Sequence, residues 1–100
     1  MYAQDAMNKA ARTVTVANRA GWHIRPASLV AKMAGQFQAR IELVKGDLRA
    51  NARNMLEMLG LAASQGEQIV LEATGTDAEA ALDALVQLFA DGFNEDDGDD

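Results

Sequence analysis

The residues most able to do chemistry lie together in the stretch GWHIRPA, residues 21–27, which contains the only histidine, tryptophan and proline of the chain. A histidine can accept a transferred group on a ring nitrogen without a serine, a cysteine or a metal. Arg25 stands two positions after His23, and its guanidinium matches phosphate oxygens and stays charged at every relevant pH. The motif therefore indicates a site that handles an anion such as a phosphoryl group.

Backbone signals within the motif place His23 at the start of a helix. Gly21 allows a tight bend before the histidine, and Pro26 has the fixed φ of a first-turn proline. The first N–H groups of a helix have no intrahelical partner, and the positive helix end favours an anion while disfavouring an imidazolium. The motif thus predicts a neutral, nucleophilic ring, and leaves open which nitrogen reacts.

A simpler interpretation of the same residues stays open. A lone histidine is often a satisfied surface or half-buried ring, and the pattern His-x-Arg-Pro also arises by chance. Trp22 is interpreted as a partly buried packing residue rather than as a cofactor-stacking ring. A metal site is disfavoured, because one histidine without any cysteine lacks ligand partners at the usual spacing. The local pattern alone does not decide between a reactive and a structural His23.

Length and composition predict one folded domain. The chain has 100 residues, of which 49% are hydrophobic and 24% are charged, enough for a single core and too apolar for disorder. The absence of cysteine fits a reducing compartment. There is no run of about 18 apolar residues, and the first eleven residues do not resemble a signal peptide. These features predict a cytoplasmic protein with no membrane segment.

Charge is divided unevenly along the chain. Six of the fifteen acidic residues lie in residues 91–100, which leaves nine acids against nine bases in residues 1–90. All nine bases lie between Lys9 and Arg53, so the half that contains His23 is basic and favours an acidic partner or an anionic group. The bases are neither dense nor interleaved with aromatic residues, which argues against nucleic-acid binding.

Hydrophobic periodicity predicts four strands. Val14 and Val16 alternate with other residues before the motif, which indicates a strand with one buried face. The stretch ARIELVKGDLRAN predicts a β-hairpin that turns at KGD. The stretch EQIVLEAT predicts the fourth strand.

Three helices are predicted from apolar residues at helical spacing and from end signals. The first spans residues 26–37, and the second spans roughly residues 54–63 with Asn54 as its N-cap. A capping box of Thr76 and Glu79 begins the third. The residues expected to face inward are Leu29, Met33 and Phe37 in the first helix and Leu82, Leu85, Val86 and Phe89 in the third.

The resulting order, β-α-β-β-α-β-α, predicts an α+β fold. Helices at these positions can all cover one face of a four-stranded antiparallel sheet, which gives a two-layer, open-faced sandwich.

Two blocks of the sequence resemble the histidine-containing phosphocarrier (HPr) family of the bacterial phosphoenolpyruvate:sugar phosphotransferase system. GWHIRPA is similar to the family's active-site pattern, which is close to G-[LI]-H-x-R-P-A. NMLEMLGLAASQGEQIVLEATGTDAEAAL is similar to its second helix, glycine-containing turn and fourth strand, at a spacing from His23 that needs no gap. The resemblance implies an HPr-like domain over residues 12–92, a flexible extension over residues 1–11 and an acidic disordered tail over residues 93–100.

The resemblance implies a phosphoryl carrier without a cofactor, not an enzyme in the ordinary sense. His23 would be phosphorylated on its δ nitrogen by enzyme I, which takes the group from phosphoenolpyruvate, and would pass it to enzyme IIA domains for sugar uptake. Arg25 would stabilise the phosphoryl group, and Pro26 would start the helix. The residues implied to contact these transient partners are Ser28, Lys32, Met55, Leu56 and Leu59. Leu59 is equally interpretable as a core residue.

Three positions depart from the family pattern. Asn54 stands where many members carry a regulatory serine, so it still caps a helix but has no hydroxyl to phosphorylate. Ala20 stands where a polar residue usually contacts the active histidine, and Trp22 replaces the usual leucine or isoleucine. The resemblance therefore implies His23 as the single phosphorylation switch.

Three functions are compatible with the sequence. The first is a monomeric carrier for sugar uptake. The second is a regulatory phosphohistidine module, as in a nitrogen-related branch or an incomplete phosphotransferase system. The third is an α+β interaction domain with an inert histidine.

Overall fold

In the part of the chain that the structure describes, four strands and three helices follow one another in the predicted order β-α-β-β-α-β-α. The computed structural model describes residues 8–94. The strands are β1 (Lys9–Thr15), β2 (Arg40–Lys45), β3 (Leu48–Asn51) and β4 (Gln68–Thr74). The helices are α1 (Ile24–Ala34), α2 (Met55–Leu59) and α3 (Ala78–Ala90), and a 3₁₀ turn spans Gly92–Asn94. In the described part, no helix is long and apolar enough to cross a membrane.

The strands form one antiparallel sheet in the order β1-β4-β2-β3, which confirms the predicted fold class. Alternate residues of each strand are buried under the helices, in keeping with the two-residue period of a strand. On the opposite, open face, Arg49 Nη1 lies 2.8 Å from Glu42 Oε1 and 2.9 Å from Glu72 Oε1. The core therefore lies in a single layer between the sheet and the helices.

The inward face of α1 differs from the predicted one. Ala27, Val30 and Ala34 are fully buried, whereas the predicted stripe of Leu29, Met33 and Phe37 is half-buried and packs against the core from the side. Small side chains allow close approach of helix to sheet, so the larger apolar residues occupy the flank. The helix also ends at Ala34 rather than at residue 37, with Gly35 as its C-cap.

Two charged side chains hold the connection between α1 and β2. The guanidinium of Arg53 donates to the carbonyls of Ala34, Phe37 and Ala39. The carboxylate of Asp77 accepts from the N–H of Gln38 at 2.9 Å and of Ala39 at 2.8 Å. The backbone groups at the end of α1 and in the connection to β2 are thus hydrogen-bonded to the side chains of Arg53 and Asp77, so no further helical turn is needed to satisfy them.

The predicted capping box at the start of α3 is wrong. The N-cap is Asp77, and its side chain makes no cap hydrogen bond because it is bound to the α1–β2 connection. Glu79 pairs with Arg12 instead of reaching back to Thr76. The predicted apolar stripe is present, with Leu82, Leu85 and Phe89 buried.

Asp77 should make the stability of the fold depend on pH. Hydrogen bonds from the N–H of Gln38, and then of Ala39, hold the pKa of the Asp77 carboxyl below its ordinary 3.8, although partial burial opposes them. The folded state therefore favours the carboxylate, and this stabilisation is complete above the unfolded pKa and lost as pH falls through the folded pKa. In urea unfolding, the stability difference between wild type and Asp77→Asn should shrink as pH falls below about 4. A difference that is constant from pH 7 to pH 2 would contradict this role.

Helix α2 is shorter than predicted. Asn54 is its N-cap as expected, and Asn54 Oδ1 accepts from the N–H of Glu57 at 3.1 Å. The helix ends at Leu59, however, because the carbonyl of Met58 accepts from the indole of Trp22 and from the N–H of Leu61. A long-range contact therefore sets its end.

The ordered domain extends beyond both predicted boundaries. β1 begins at Lys9, which pairs with Thr74, so residues 9–11 belong to the sheet and not to a flexible extension. Phe93, placed by sequence in the acidic tail, is fully buried. It packs against Phe89 at 4.8 Å and Trp22 at 5.9 Å between ring centroids, and burial of these rings fixes the chain here. The rest of the predicted extension and tail, residues 1–7 and 95–100, lies outside the described residues.

Candidate functional site

A tight turn leads the chain from β1 to His23. The side chain of the buried Asn18 donates to the carbonyl of Gly21 at 2.7 Å, and the N–H of Gly21 donates to the carbonyl of Asn18 at 3.0 Å. Gly21 has a φ of +76°, in the left-handed region that glycine enters without steric cost. The N–H of Trp22 then binds the carbonyl of Ala63 at 2.9 Å. The turn is thereby fastened to the segment that follows α2.

Replacing Gly21 with alanine should loosen this turn. An added Cβ would lie 3.1 Å from the backbone oxygen of Ala63, and the left-handed φ adds strain for any residue with a side chain. Gly21→Ala should therefore lower the free energy of unfolding by about 1–3 kcal/mol, measured in urea. Gly66→Ala is a matched control, since Gly66 also has a positive φ but no atom lies within 4 Å of its added Cβ. Equal losses in the two variants would show that the contact with Ala63 is unimportant.

Trp22 packs against α2 and α3 from the turn that follows β1. Its side chain is 6% exposed, and its ring is stacked on Phe89 of α3 at 5.7 Å between centroids. Its indole N–H donates to the carbonyl of Met58 in α2 at 2.6 Å. The interpretation of Trp22 as a packing residue is confirmed, although it is more deeply buried than expected. The residue before His23 is therefore fixed to both other helices.

His23 is the N-cap of α1. Its backbone is extended, with φ −146° and ψ −168°, and its carbonyl accepts the first helical bond, from the N–H of Ala27 at 3.1 Å. The N–H of Arg25 donates to His23 Nδ1 over a long 3.5 Å. In this orientation Nδ1 points towards the first turn of the helix. The imidazole is half-buried and so accessible from one side.

Helix α1 begins earlier than predicted, at Ile24 rather than at Pro26. Pro26 is consequently the third helical residue, still within the turn whose N–H groups have no intrahelical partner. Its lack of an N–H costs nothing there, and its ring is buried under the helix. Pro26 therefore lies in the first turn as predicted, although the helix begins two residues earlier than predicted.

A basic stripe runs along α1 away from His23. Arg25, Ser28 and Lys32 are spaced by three and four residues and so share one side of the helix. Arg25 and Lys32 are exposed, and Ser28 is half-buried between them. Ala20 is exposed and offers only a methyl group, so its side chain cannot make the polar contact that this position usually supplies.

Exposed apolar side chains lie on α2 and next to His23. Leu56 is 75% exposed, whereas Met55 and Leu59 are half-buried and pack against the core, so Leu59 contributes to both core and surface. Sequence reasoning missed Ile24, which is 58% exposed immediately after His23. Its only signal is its position, between the histidine and the arginine of the motif. Helices α1 and α2 pack against each other.

These features define a surface site with one accessible imidazole, one adjacent cation and a positive helix end. Among residues 8–94, no group of three or more histidine, cysteine or acidic side chains is arranged to hold a metal ion. The arrangement can hold an anion that is covalently attached to Nδ1 of His23. An accessible ring flanked by apolar residues also suits reaction against the surface of another protein.

The family pattern described as the PTS HPr component phosphorylation site matches residues 10–91. The chain belongs to the HPr family. It is therefore a phosphocarrier of the phosphotransferase system rather than a catalyst.

Relatives support this membership along most of the chain. The phosphocarrier protein HPr of Treponema pallidum is 40% identical over 84 residues, which are 84% of this chain and 96% of that protein. The phosphocarrier protein NPr of Shewanella violacea is 40% identical over 89 residues, 89% of this chain and 98% of that protein. The crystal structure of HPr-C-His from Thermoanaerobacter tengcongensis matches with a TM-score of 0.82 and 34% identity over 87% of this chain and 98% of that one.

Proposed function

We propose that His23 accepts a phosphoryl group on Nδ1 from enzyme I and passes it to an enzyme IIA-type domain. The observation that carries this proposal is the N-cap position of His23, with Nδ1 directed towards the N–H of Arg25. A phosphoryl group on Nδ1 would therefore be attached at the positive end of α1. The exposed guanidinium of Arg25 follows within the same turn and offers donors to its oxygens.

The transfer requires no further group from this chain. The lone pair of Nδ1 forms the new P–N bond while the bond from phosphorus to the donor protein breaks, and the donor atom keeps that electron pair. The ring proton stays on Nε2 through this step. Delivery reverses the sequence, because an acceptor nucleophile attacks phosphorus and the pair returns to Nδ1. Positioning and electrostatic stabilisation by the partner supply the rest of the catalysis.

The surface around His23 fits partners that bind briefly. Leu56 and Ile24 offer exposed apolar area, and Arg25 and Lys32 supply the positive charge that steers an acidic surface towards it. A small patch of this kind favours rapid exchange between a donor and an acceptor. In this proposal the carrier acts as a monomer and meets enzyme I and enzyme IIA-type proteins in turn.

A regulatory phosphohistidine module is the second candidate. Phosphocarrier proteins NPr from Shewanella violacea, Proteus mirabilis and Escherichia coli are 38–40% identical to this chain, as near as the HPr of Treponema pallidum. Asn54 at the serine position also removes one form of control associated with sugar uptake. These observations favour comparing a nitrogen-branch acceptor directly with a sugar acceptor.

Transfer from phosphoenolpyruvate tests both candidates. The chain is incubated with enzyme I and phosphoenolpyruvate, and phosphorus NMR should show one phosphoramidate signal, at His23. The phosphorylated chain is then mixed with equal amounts of a sugar-specific and a nitrogen-branch enzyme IIA. Faster loss of the signal to the sugar-specific domain supports sugar uptake, and faster loss to the other supports regulation. Absence of any phosphoramidate would sink the proposed function.

A further inference from the structure

A buried polar side chain lies in the turn that leads to His23. Asn18 is 1% exposed, and it is the one polar side chain that is buried among the residues that the structure describes. Its Nδ2 donates to the carbonyl of Gly21 at 2.7 Å, and its own carbonyl accepts from the N–H of Gly21 at 3.0 Å, which closes a β-turn. Burying an amide costs free energy unless it is hydrogen-bonded, so the folded state favours the bond to Gly21.

The peptide unit between Gly21 and Trp22 is bound at both of its ends. The side chain of Asn18 donates to its carbonyl, and its N–H donates to the carbonyl of Ala63 at 2.9 Å. A peptide unit is planar, so partners at both ends fix its orientation. Only Trp22, whose ring is buried, stands between this unit and His23. The direction in which the chain presents His23 therefore depends on these two bonds.

We propose that Asn18 is a positioning residue for phosphoryl acceptance at His23. By holding the peptide unit of residues 21–22, it keeps the imidazole in the orientation in which Nδ1 points towards the start of α1. Ala20 offers only a methyl group, so it cannot supply a polar contact that would orient the ring directly. The positioning role rests on the proposed function, whereas the hydrogen bond between Asn18 and Gly21 does not.

Hydrogen exchange tests the effect of Asn18 without any phosphoryl transfer. Asn18→Ala removes the donor to one end of the peptide unit, so the N–H of Trp22 at the other end should exchange at least about tenfold faster than in the wild type. The N–H of Val16, which donates to the carbonyl of Glu67 at 2.9 Å, is the internal reference. Equal acceleration of the two amides would show that Asn18 acts only on global stability, and it would overturn the proposal.

Single-turnover transfer from phosphorylated enzyme I separates positioning from docking. At saturating concentration, Asn18→Ala should accept the phosphoryl group about tenfold more slowly than the wild type, because a misplaced nucleophile attacks less often. The half-saturating concentration should stay within about twofold, since the exposed side chains proposed to meet the partner, such as Leu56, are unchanged. A smaller folded fraction would instead raise the half-saturating concentration and leave the saturating rate as it is.

Ile41→Val is the matched stability control. Ile41 is buried and shares a row of the sheet with Ala73 and Ala10, near the start of β1 and so at the opposite end from the turn. It should lower stability without changing the saturating rate. If Asn18→Ala does not fold, Asn18→Ser takes its place with the same expected directions, because its side chain is one bond shorter.

Two results would overturn the positioning role. One is a saturating rate for the Asn18 variant equal to that of the wild type, and the other is an equal loss of rate in Ile41→Val. If the wild type itself accepts no phosphoryl group, the proposed function fails, and the exchange of the Trp22 amide still decides whether Asn18 holds the peptide unit.

Discussion

His23→Ala is expected to fold and to accept no phosphoryl group from enzyme I. The chain contains no second histidine, so no other imidazole can replace the lost nucleophile. The rate of acceptance should fall by at least about 10³-fold, as is usual when an attacking group is removed. Radiolabelled phosphoenolpyruvate with enzyme I measures this rate, and the circular dichroism spectrum should remain that of the wild type.

His23→Asn separates the chemical role of the imidazole from its structural role as the N-cap of α1. Asparagine is among the best N-cap residues, so it should keep or improve the start of α1, which His23 now caps through a long 3.5 Å bond. This variant should be more stable than His23→Ala by up to about 1 kcal/mol, and it should be equally inactive. Transfer that is restored in His23→Asn would show that the histidine acts only by capping the helix.

Trp22→Ala is expected to cause the largest loss of stability. The indole is almost fully buried, stacks on Phe89 and donates to the carbonyl of Met58 at 2.6 Å. Its removal leaves a cavity and takes away one of the two hydrogen bonds that the Met58 carbonyl accepts, so the free energy of unfolding should fall by about 3–5 kcal/mol. Unfolding in urea, followed by circular dichroism because the chain has no other tryptophan, measures the loss.

Trp22→Phe divides that loss between packing and hydrogen bonding. A phenyl ring retains much of the contact with Phe89 but cannot donate to Met58, so a loss of about 1–3 kcal/mol is expected. Since the bond to Met58 holds α2 against the turn that carries His23, both variants should also slow the proposed acceptance from enzyme I. A Trp22→Ala protein as stable as the wild type would show that Trp22 does not join the loop to the helices.

Neighbouring residues were sufficient to predict those features of the fold that neighbouring residues determine. The hairpin turn, the N-cap role of Asn54 and the placing of His23 before a helix all depend on neighbouring residues, and the structure has each of them. The same holds for the order of the elements, which follows from hydrophobic period and turn residues.

The predictions from sequence were wrong where a side chain or a backbone group binds a partner that is distant in the sequence. Asp77 and Glu79 have partners 38 and 67 residues away, so the expected capping box has no free carboxylate. The end of α2 depends on the Trp22 indole, 36 residues from Met58. Phe93 was placed in the acidic tail because its neighbours are mostly acidic and because Trp22, which completes the aromatic cluster around it, is distant in the sequence. The missed Ile24 likewise follows only from the true start of α1.

The position of β1 has a consequence for how the molecule assembles during synthesis. Within the described sheet, β1 pairs only with β4, and Lys9 lies opposite Thr74, so two thirds of the chain must exist before the first strand has a neighbour. Contacts this far apart in the sequence form slowly, because a long loop must close first. The turn that carries His23 also cannot form its native hydrogen bonds until Ala63 and Met58 have been synthesised, because Trp22 donates to the carbonyls of both. A nascent chain that stops before β4 would carry His23 without the completed sheet that supports it in the folded protein.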